Sequence, residues 1–470
     1  MASTLRCSTT EEIVSLKEPT LSLSPDTTPV KSQSETSRKQ VNAQGSRTQW
    51  RFTDNILAPL KVRDFRLLFS GQMISTIGDM FYTVALPWLM LTSGHTPQEL
   101  GIVLAAYGVP RVATLPIGGI LSDRLRPRRV MLLADIMRAL LVGILVVLVI
   151  RHQTEVWQIC AVAVPLGGFT GLFLPAYYAM TPEILTDNTL QAGNALNTSS
   201  IQLAILVGSG LGGFIVSRLQ PGAALIVDAL TFVVSAITLA LMRAGRGSVG
   251  PVAFPAADQR AAAQANVPEE NAIFGPDTTF WHLLRTWRLL QVALLVVIFG
   301  NFLFNGMIEV ALPTLAHDQF AAGANGYGLL LATFGAGSFL GGLVAGGLGR
   351  IRHRGILMLL LIMALACWYS FLPFVGGLSG AAFFIGSAGL TNGILTVIAF
   401  TTLQQQAPRH LLGRLMAVLM IATVGLYPFS VALAGIITTH FGPALLFPIG
   451  GAMMLGAALF GWLQPEVRAL

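Results

Sequence analysis

Long apolar runs separated by short polar breaks fill the chain from about residue 65 to its end. Twenty residues of α-helix rise about 30 Å, the thickness of a bilayer's hydrocarbon core. On that measure twelve segments can span: 66–92, 98–121, 130–150, 156–180, 191–217, 222–242, 288–316, 326–349, 355–375, 379–403, 413–439 and 442–463. None shows the strict apolar–polar alternation that a membrane β-barrel needs. The expected fold is therefore all-α, with twelve transmembrane helices in two six-helix bundles. Residues 1–60 read as a disordered tail, rich in Ser, Thr, Gln, Lys and Glu. Residues 61–243 form the first bundle, 244–284 an Ala/Gly/Pro-rich cytoplasmic linker, and 285–470 the second bundle. Trp281, Arg285, Trp287 and Arg288 suit an interfacial entry to the seventh helix.

The two bundles repeat one another. Val84-Ala85-Leu86-Pro87 in the first helix returns as Val310-Ala311-Leu312-Pro313 in the seventh. Gly101, Gly108 and Gly119 in the second helix return as Gly328, Gly335 and Gly346 in the eighth. Matches at near-constant spacing in equivalent helices indicate two related halves, and parallel repeats of this kind place a substrate site near midplane between them.

Composition agrees. Hydrophobic residues make up 53% of 470 and charged residues only 11%, against about 25% charged in a soluble domain. The net charge of +7 does not indicate nucleic acid, because the arginines are dispersed between apolar runs. They cluster in alternate loops: Arg124, Arg126, Arg128 and Arg129; Arg350, Arg352 and Arg354; Arg409 and Arg414. The positive-inside rule makes those loops, and with twelve spans both termini, cytoplasmic. No signal-peptide pattern precedes residue 65. The expected location is the plasma (inner) membrane, with the lipid bilayer as a partner and a monomer as the unit. Cys7, Cys160 and Cys367 are too far apart in sequence to suggest a disulfide framework or metal site. His95, His353 and His410 have neither metal spacing nor a nucleophile partner. No phosphate-binding or dinucleotide motif occurs, so neither an enzyme nor a cofactor is expected.

The stretch GGILSDRLRPRR (118–129) carries the strongest resemblance. Gly119, Leu121, Asp123, Arg124, Arg128 and Arg129 resemble the loop between helices 2 and 3 of the major facilitator superfamily; Pro127 stands where a basic residue is usual. IGDMFYTVALPWLML (77–91), GLFLPAYYAMTPEIL (171–185) and LQAGNALNTSSIQL (190–203) are similar to its drug-efflux branch, which includes enterobactin exporters and macrolide efflux proteins. The resemblance covers about residues 60–465. It implies alternating access, with the loop as a cytoplasmic gate of Gly119, Asp123, Arg124, Arg128, Arg129 and Glu183. Asp123 would face the start of helix 11 near Arg409–Arg414, and Glu183 would partner Arg124 or Arg128. The branch's helix-5 proline is absent: Ser209 replaces it among the packing glycines Gly208, Gly210, Gly212 and Gly213.

Ionisable groups in spans are expensive, about 2.5–3.5 kcal/mol each at the helix centre, and mark function by default. They are Asp79, Arg111, Asp135, Arg138, Asp228 and Glu309. Asp79 lies near the middle of helix 1, and its repeat partner is Asn305. Glu309 is one turn from Asn305 on the same face. Desolvation favours the neutral form of a carboxylate, which makes Asp79 and Glu309 the candidates for proton coupling or cation recognition. A structural Asp79–Arg111 pair is the competing reading. Asp135 and Arg138 read as a local i,i+3 ion pair. Asp228 reads as a packing residue or part of an outer vestibule. Phe81, Tyr82, Trp88, Tyr107, Phe302 and Phe304 are aromatics that could cradle a substrate. The expected function is secondary active transport of small organic molecules, as proton-driven efflux of drugs, siderophores or similar amphipathic compounds. An importer or lysolipid flippase of the same fold, or a non-transporting receptor or scaffold, are the alternatives.

Overall fold

The computed structural model describes residues 57–243, 285, 287–320, 323–348, 353–406, 418–419 and 421–468. The predicted linker 244–284 and the tail up to residue 56 lie outside the described residues. Ala58–Lys61, at the edge of the predicted tail, forms a short 3-10 helix leading into the first span.

Among the described residues the chain is helical and has no strand. The first half contains α1 (Arg63–Thr92), α2 (Pro97–Leu125), α3 (Pro127–Ile150) and α4 (Val156–Ile184). A run from Asp187 to Leu241 follows, broken at Gln220, where φ is 73° and ψ 159°. It is two helices, α5 (187–219) and α6 (221–241). The second half contains α7 (Arg288–Asp318), α8 (Gly323–Gly347), α9 (Arg354–Phe371), α10 (Gly377–Gln406), α11 (Tyr427–Phe441) and α12 (Leu446–Trp462). Among the described residues, eleven continuous stretches are long and apolar enough to cross a membrane. One of these is 50 residues long and holds both α5 and α6, which brings the spans to twelve.

Local chemistry sets the helix ends. Thr96 and Glu99 close a reciprocal capping box at the start of α2: Thr96 N–H donates to the Glu99 carboxylate (2.7 Å) and Glu99 N–H to Thr96 Oγ1 (3.3 Å). Three turns share one device. Arg126, Gln220 and Gly442 adopt φ of 73–83°, and each is followed by a proline at the start of the next helix. Proline lacks an N–H, and its ring pushes the preceding residue out of helical geometry, so each helix stops there. Arg128 donates to the carbonyls of Leu239 (2.7 Å) and Ala240 (2.8 Å), and Arg63 to that of Leu241 (3.3 Å). These are terminal carbonyls of α6 that have no partner within the helix.

In α7 the regular helix gives way to a π-turn at Met307–Ala311. Pro313 has no N–H to offer the Glu309 carbonyl, and Leu312 N–H bonds Met307 O instead. The equivalent proline in the first half, Pro87, sits inside an unbroken α1. The two copies of Val-Ala-Leu-Pro therefore have different backbones.

The halves meet at the end carrying the α1–α2 loop. Gly101 on α2 lies against Val431 O and Gly435 of α11, and Gly213 on α5 against Ala324 O and Gly328 of α8. Gln98 N–H donates to Thr439 Oγ1 (2.9 Å) at the same end. At the opposite, arginine-bearing end, Gly119 on α2 and Gly342 and Gly346 on α8 have no heavy atom within 4 Å of where a Cβ would stand. Among the described residues, close glycine packing between the halves thus runs from that end to mid-helix, where Gly335 meets Leu206 N and Gly108 meets the Tyr427 ring. Of the predicted packing glycines, Gly213 and Gly210 face α8, while Gly208 and Gly212 face Met80 and Phe81 of α1. Ser209, in the place of the missing proline, bonds the Ile205 carbonyl of its own helix.

A methyl at Gly213 would stand 2.8 Å from Ala324 O and 2.9 Å from Gly328 Cα. Gly213→Ala is expected to cost this contact about 1–3 kcal/mol. Spin labels at Gly94 and Gln319, in loops of the two halves at this end, should move apart in that variant; an unchanged distance distribution would show that the glycine contact does not hold this end closed.

Candidate functional site

Closing one end of the bundle leaves a cavity of about 230 Å³ between the halves. Its polar lining comes from α1 (Asp79, Tyr82, Thr83), α2 (Tyr107, Arg111), α4 (Thr170), α7 (Glu309) and α11 (Tyr427). Four of the sequence candidates are brought together here: Asp79, Arg111, Tyr82 and Tyr107, all from the first half. Glu309 faces them from the second.

Glu309 is held at the π-turn and accepts a 2.5 Å hydrogen bond from Tyr427 Oη. Backbone geometry and hydrogen bonding together aim this carboxylate. Arg111 stands across the cavity with its guanidinium 5.8 Å from the Tyr107 ring centroid, and its buried Nε has no partner. An unpartnered donor inside a span is costly, and this one sits at a cavity wall where a ligand can satisfy it. No ion pair joins Asp79 to Arg111 among the described residues, so the structural-pair reading of Asp79 does not describe this conformer. Asn305, the repeat partner of Asp79, does not line the cavity; its side-chain amide donates to the Asn301 carbonyl (2.7 Å). Thr83 and Glu309 occupy equivalent repeat positions, and both reach the cavity.

A second polar cluster lies within the first half. Asp135 and Arg138 form a buried ion pair, as predicted, and Ser235 on α6 donates to the other Asp135 oxygen (2.6 Å). The Arg138 guanidinium lies between the rings of Phe173 (4.1 Å) and Phe232 (4.5 Å). Desolvated cation–π contacts of this kind contribute about 2 kcal/mol. The pair and its rings tie α3, α4 and α6 together.

Of the two sequence readings of Asp228, the outer vestibule does not describe the structure. Asp228 is 1% exposed and lines a smaller pocket of about 20 Å³ inside the first half, not an outer vestibule. Neither of its carboxylate oxygens has a hydrogen-bond partner. Its polarity was plain from the sequence, but its facing Asp79 depends on the packing of α6 against α1.

The other aromatics divide by neighbour. Phe81 packs on Gly212. Trp88 meets the His317 ring at 5.4 Å, at the closed end. Phe304 packs on Phe334 and Tyr369 (5.1 and 6.1 Å), and Phe302 is partly buried against the core. Tyr427 and Thr170 are site residues that sequence reasoning missed. A hydroxyl one or two helices away leaves no signal in local sequence.

At the predicted gate, Asp123, Arg124, Arg129 and Glu183 are exposed. Glu183 makes no ion pair with Arg124 or Arg128 among the described residues. Arg128 is engaged by α6 because the end of that helix presents unpaired carbonyls within its reach. The residues proposed to face Asp123, Arg409–Arg414, lie outside the described residues, as do His410 and Arg350.

Twelve spans in two repeated halves, closed against each other at one end around a polar midplane cavity, define a membrane transporter. The profile of the Major Facilitator Superfamily matches residues 68–426. The chain belongs to that superfamily. Over 410 residues it is 24% identical to the multidrug efflux pump Tap of Mycolicibacterium fortuitum, covering 86% of this chain and 96% of the relative. Over 359 residues it is 25% identical to the enterobactin exporter EntS of Salmonella typhimurium, covering 75% and 80%. Solved structures agree on the fold: a D-xylose–proton symporter aligns with a TM-score of 0.63 at 14% identity (88% and 99% covered). A POT family transporter in complex with 5-aminolevulinic acid aligns at 0.64 and 13% (86% and 96%).

Tyr427→Phe removes the donor to a carboxylate inside the membrane and should lower stability by about 1–3 kcal/mol. In a Glu309→Gln background the same change should cost much less. Thermal unfolding of the four proteins in detergent measures the coupling; additive shifts would contradict the hydrogen bond as a determinant of the site.

Proposed function

We propose that this chain exports small amphipathic organic molecules in exchange for protons, by alternating access of the two halves. The observation that carries the reading is the midplane cavity, where Asp79 of one half and Glu309 of the other face a common space with Arg111 between aromatic walls. A carboxylate in a membrane interior is stable when neutral and attractive to cations when charged, which is what coupling a proton to a substrate requires. Tyr82, Tyr107 and Tyr427 offer flat apolar faces with polar tips, which suits amphipathic compounds of varied shape.

The efflux direction draws support from the named relatives, a multidrug pump and a siderophore exporter. With the arginine-bearing end cytoplasmic, this conformer is closed outward and can load substrate from inside. Asp123 then acts in the opposite conformer, closing the cytoplasmic end against the start of the eleventh helix, where free N–H groups favour an anion. The tail before residue 57 and the linker 244–284 would both be cytoplasmic, and the working unit a monomer.

Everted vesicles containing the chain, with ethidium and a panel of uncharged and anionic drugs, test the reading. A proton gradient, acid inside, should drive accumulation of at least one member. Asp79→Asn, at matched expression, should lower gradient-driven uptake about tenfold or more, equivalent to about 1.4 kcal/mol or greater, while substrate exchange without a gradient persists. Gradient-driven uptake unchanged in Asp79→Asn would sink the coupling role.

A further inference from the structure

The smaller pocket is not needed to hold an organic substrate, yet it contains Asp228, one of the least satisfied polar groups among the described residues. Its polar and aromatic walls are Asp79 and Tyr82 from α1, Tyr107 from α2, Thr170 from α4, and Asp228 and Phe232 from α6. The open space inside is water-sized. Asp228 is buried with both oxygens unpartnered. Two neighbouring hydroxyls are engaged elsewhere. Thr231 gives its hydroxyl to the Asp228 carbonyl (2.7 Å), and Thr170 gives its own to the Leu166 carbonyl (2.8 Å). On the facing helix stands Gly78, where a Cβ would come within 2.9 Å of Asp228 Oδ1, so α1 and α6 approach closely at this point.

Among the described residues the charged and titratable groups around Asp228 are few. They are Asp79 and Tyr82 on α1, Tyr107 on α2, and Asp135 with Arg138 on α3; Cys160 of α4 stands near Tyr82. Arg138, the one cation acting on Asp228, is ion-paired to Asp135 and makes no salt bridge to Asp228. Among the described residues, two carboxylates thus share a membrane-buried pocket with no cation of the protein's own in contact. Buried carboxylates in this arrangement are neutralised by a proton or by a bound cation.

The geometry points to Asp79 and Asp228 as a paired-carboxylate site for the coupling monovalent cation, set inside the first half and apart from the substrate contacts at Arg111, Glu309 and Tyr427. This rests on the reading that transport is cation-coupled, and it adds Asp228 as the second member of the site. Asp79 borders both the pocket and the large cavity, whereas Asp228 borders the pocket alone. A change of charge in the pair therefore reaches the substrate through Asp79. Protons and sodium ions share the required chemistry. A proton would be held between the two carboxylates; a sodium ion would take their oxygens together with lone pairs of the Thr170 and tyrosine hydroxyls.

The test uses the purified full chain in detergent. Potentiometric difference titration between about pH 5 and pH 9 counts protons bound, and radioactive sodium binding at about pH 8 supplies the second arm. If the site holds a shared proton, Asp79→Asn and Asp228→Asn should each take up that proton over a different pH range from the parent, and Asp228→Glu should restore the parent curve. If it holds sodium, the parent should show saturable binding that both Asn variants lose and Asp228→Glu retains. A parent and Asp228→Asn that are indistinguishable in both arms overturn the proposal. A change confined to Asp79→Asn refutes the pair but leaves the coupling role of Asp79 standing, so the two readings fail separately.

Discussion

Backbone-to-backbone contact through glycine holds the two halves together, and the shape of the site follows from it. Between helices in lipid there is little hydrophobic drive, because the surrounding chains are as apolar as leucine. Association rests on close van der Waals packing, and small residues permit that. Gly101 against Gly435 and Gly213 against Gly328 bring α2 to α11 and α5 to α8 at one end. With no comparable glycine contact at the arginine-bearing end among the described residues, the space between the halves becomes a cavity. The contact also involves few strong bonds. Apart from the Gln98–Thr439 hydrogen bond, it is largely dispersion, so it can be broken and remade at modest cost, as a rocking transporter requires.

Charges inside the spans fall into two kinds. Asp135, Arg138, Ser235 and the flanking rings of Phe173 and Phe232 engage one another and pin three helices, with Arg138 Nε alone in the set left without a partner among the described residues. Breaking that set would leave a bare charge in a low-dielectric interior, so it behaves as a rigid strut. Asp228 and Arg111 Nε have no protein partner, and Asp228, Asp79 and Arg111 border open space. The ion-paired groups hold the first half as a unit, and Asp228 and Arg111 stand where something can enter and leave.

The internal repeat is real in sequence and incomplete in chemistry. Asp79 and Asn305 are equivalent positions, but Asn305 turns to its own helix backbone. Its place in the cavity is taken by Glu309, whose equivalent is Thr83. The π-turn over Met307–Ala311, absent at the matching stretch of α1, accompanies this exchange. Each half contributes one midplane carboxylate, from positions four residues apart in the repeat. A site between two such halves is asymmetric, and a directional cycle needs that.

Span number, the two related halves, the arginine-rich turn and the candidate carboxylates were all legible along the chain. Each is a one-dimensional signal: apolar run length, a repeat spacing, or the rarity of charge in a hydrocarbon environment. The Asp135–Arg138 pair was legible too, because i,i+3 neighbours meet on any helix. Tertiary structure alone decided which of these groups share a space. Asp228 faces Asp79 because α6 packs on α1 where Gly78 leaves room, Glu309 is aimed by a tyrosine 118 residues away, and Arg128 is turned to the end of α6 and away from Glu183. Sequence carries the cost of putting a charge in the membrane; only helix packing determines what that charge meets there.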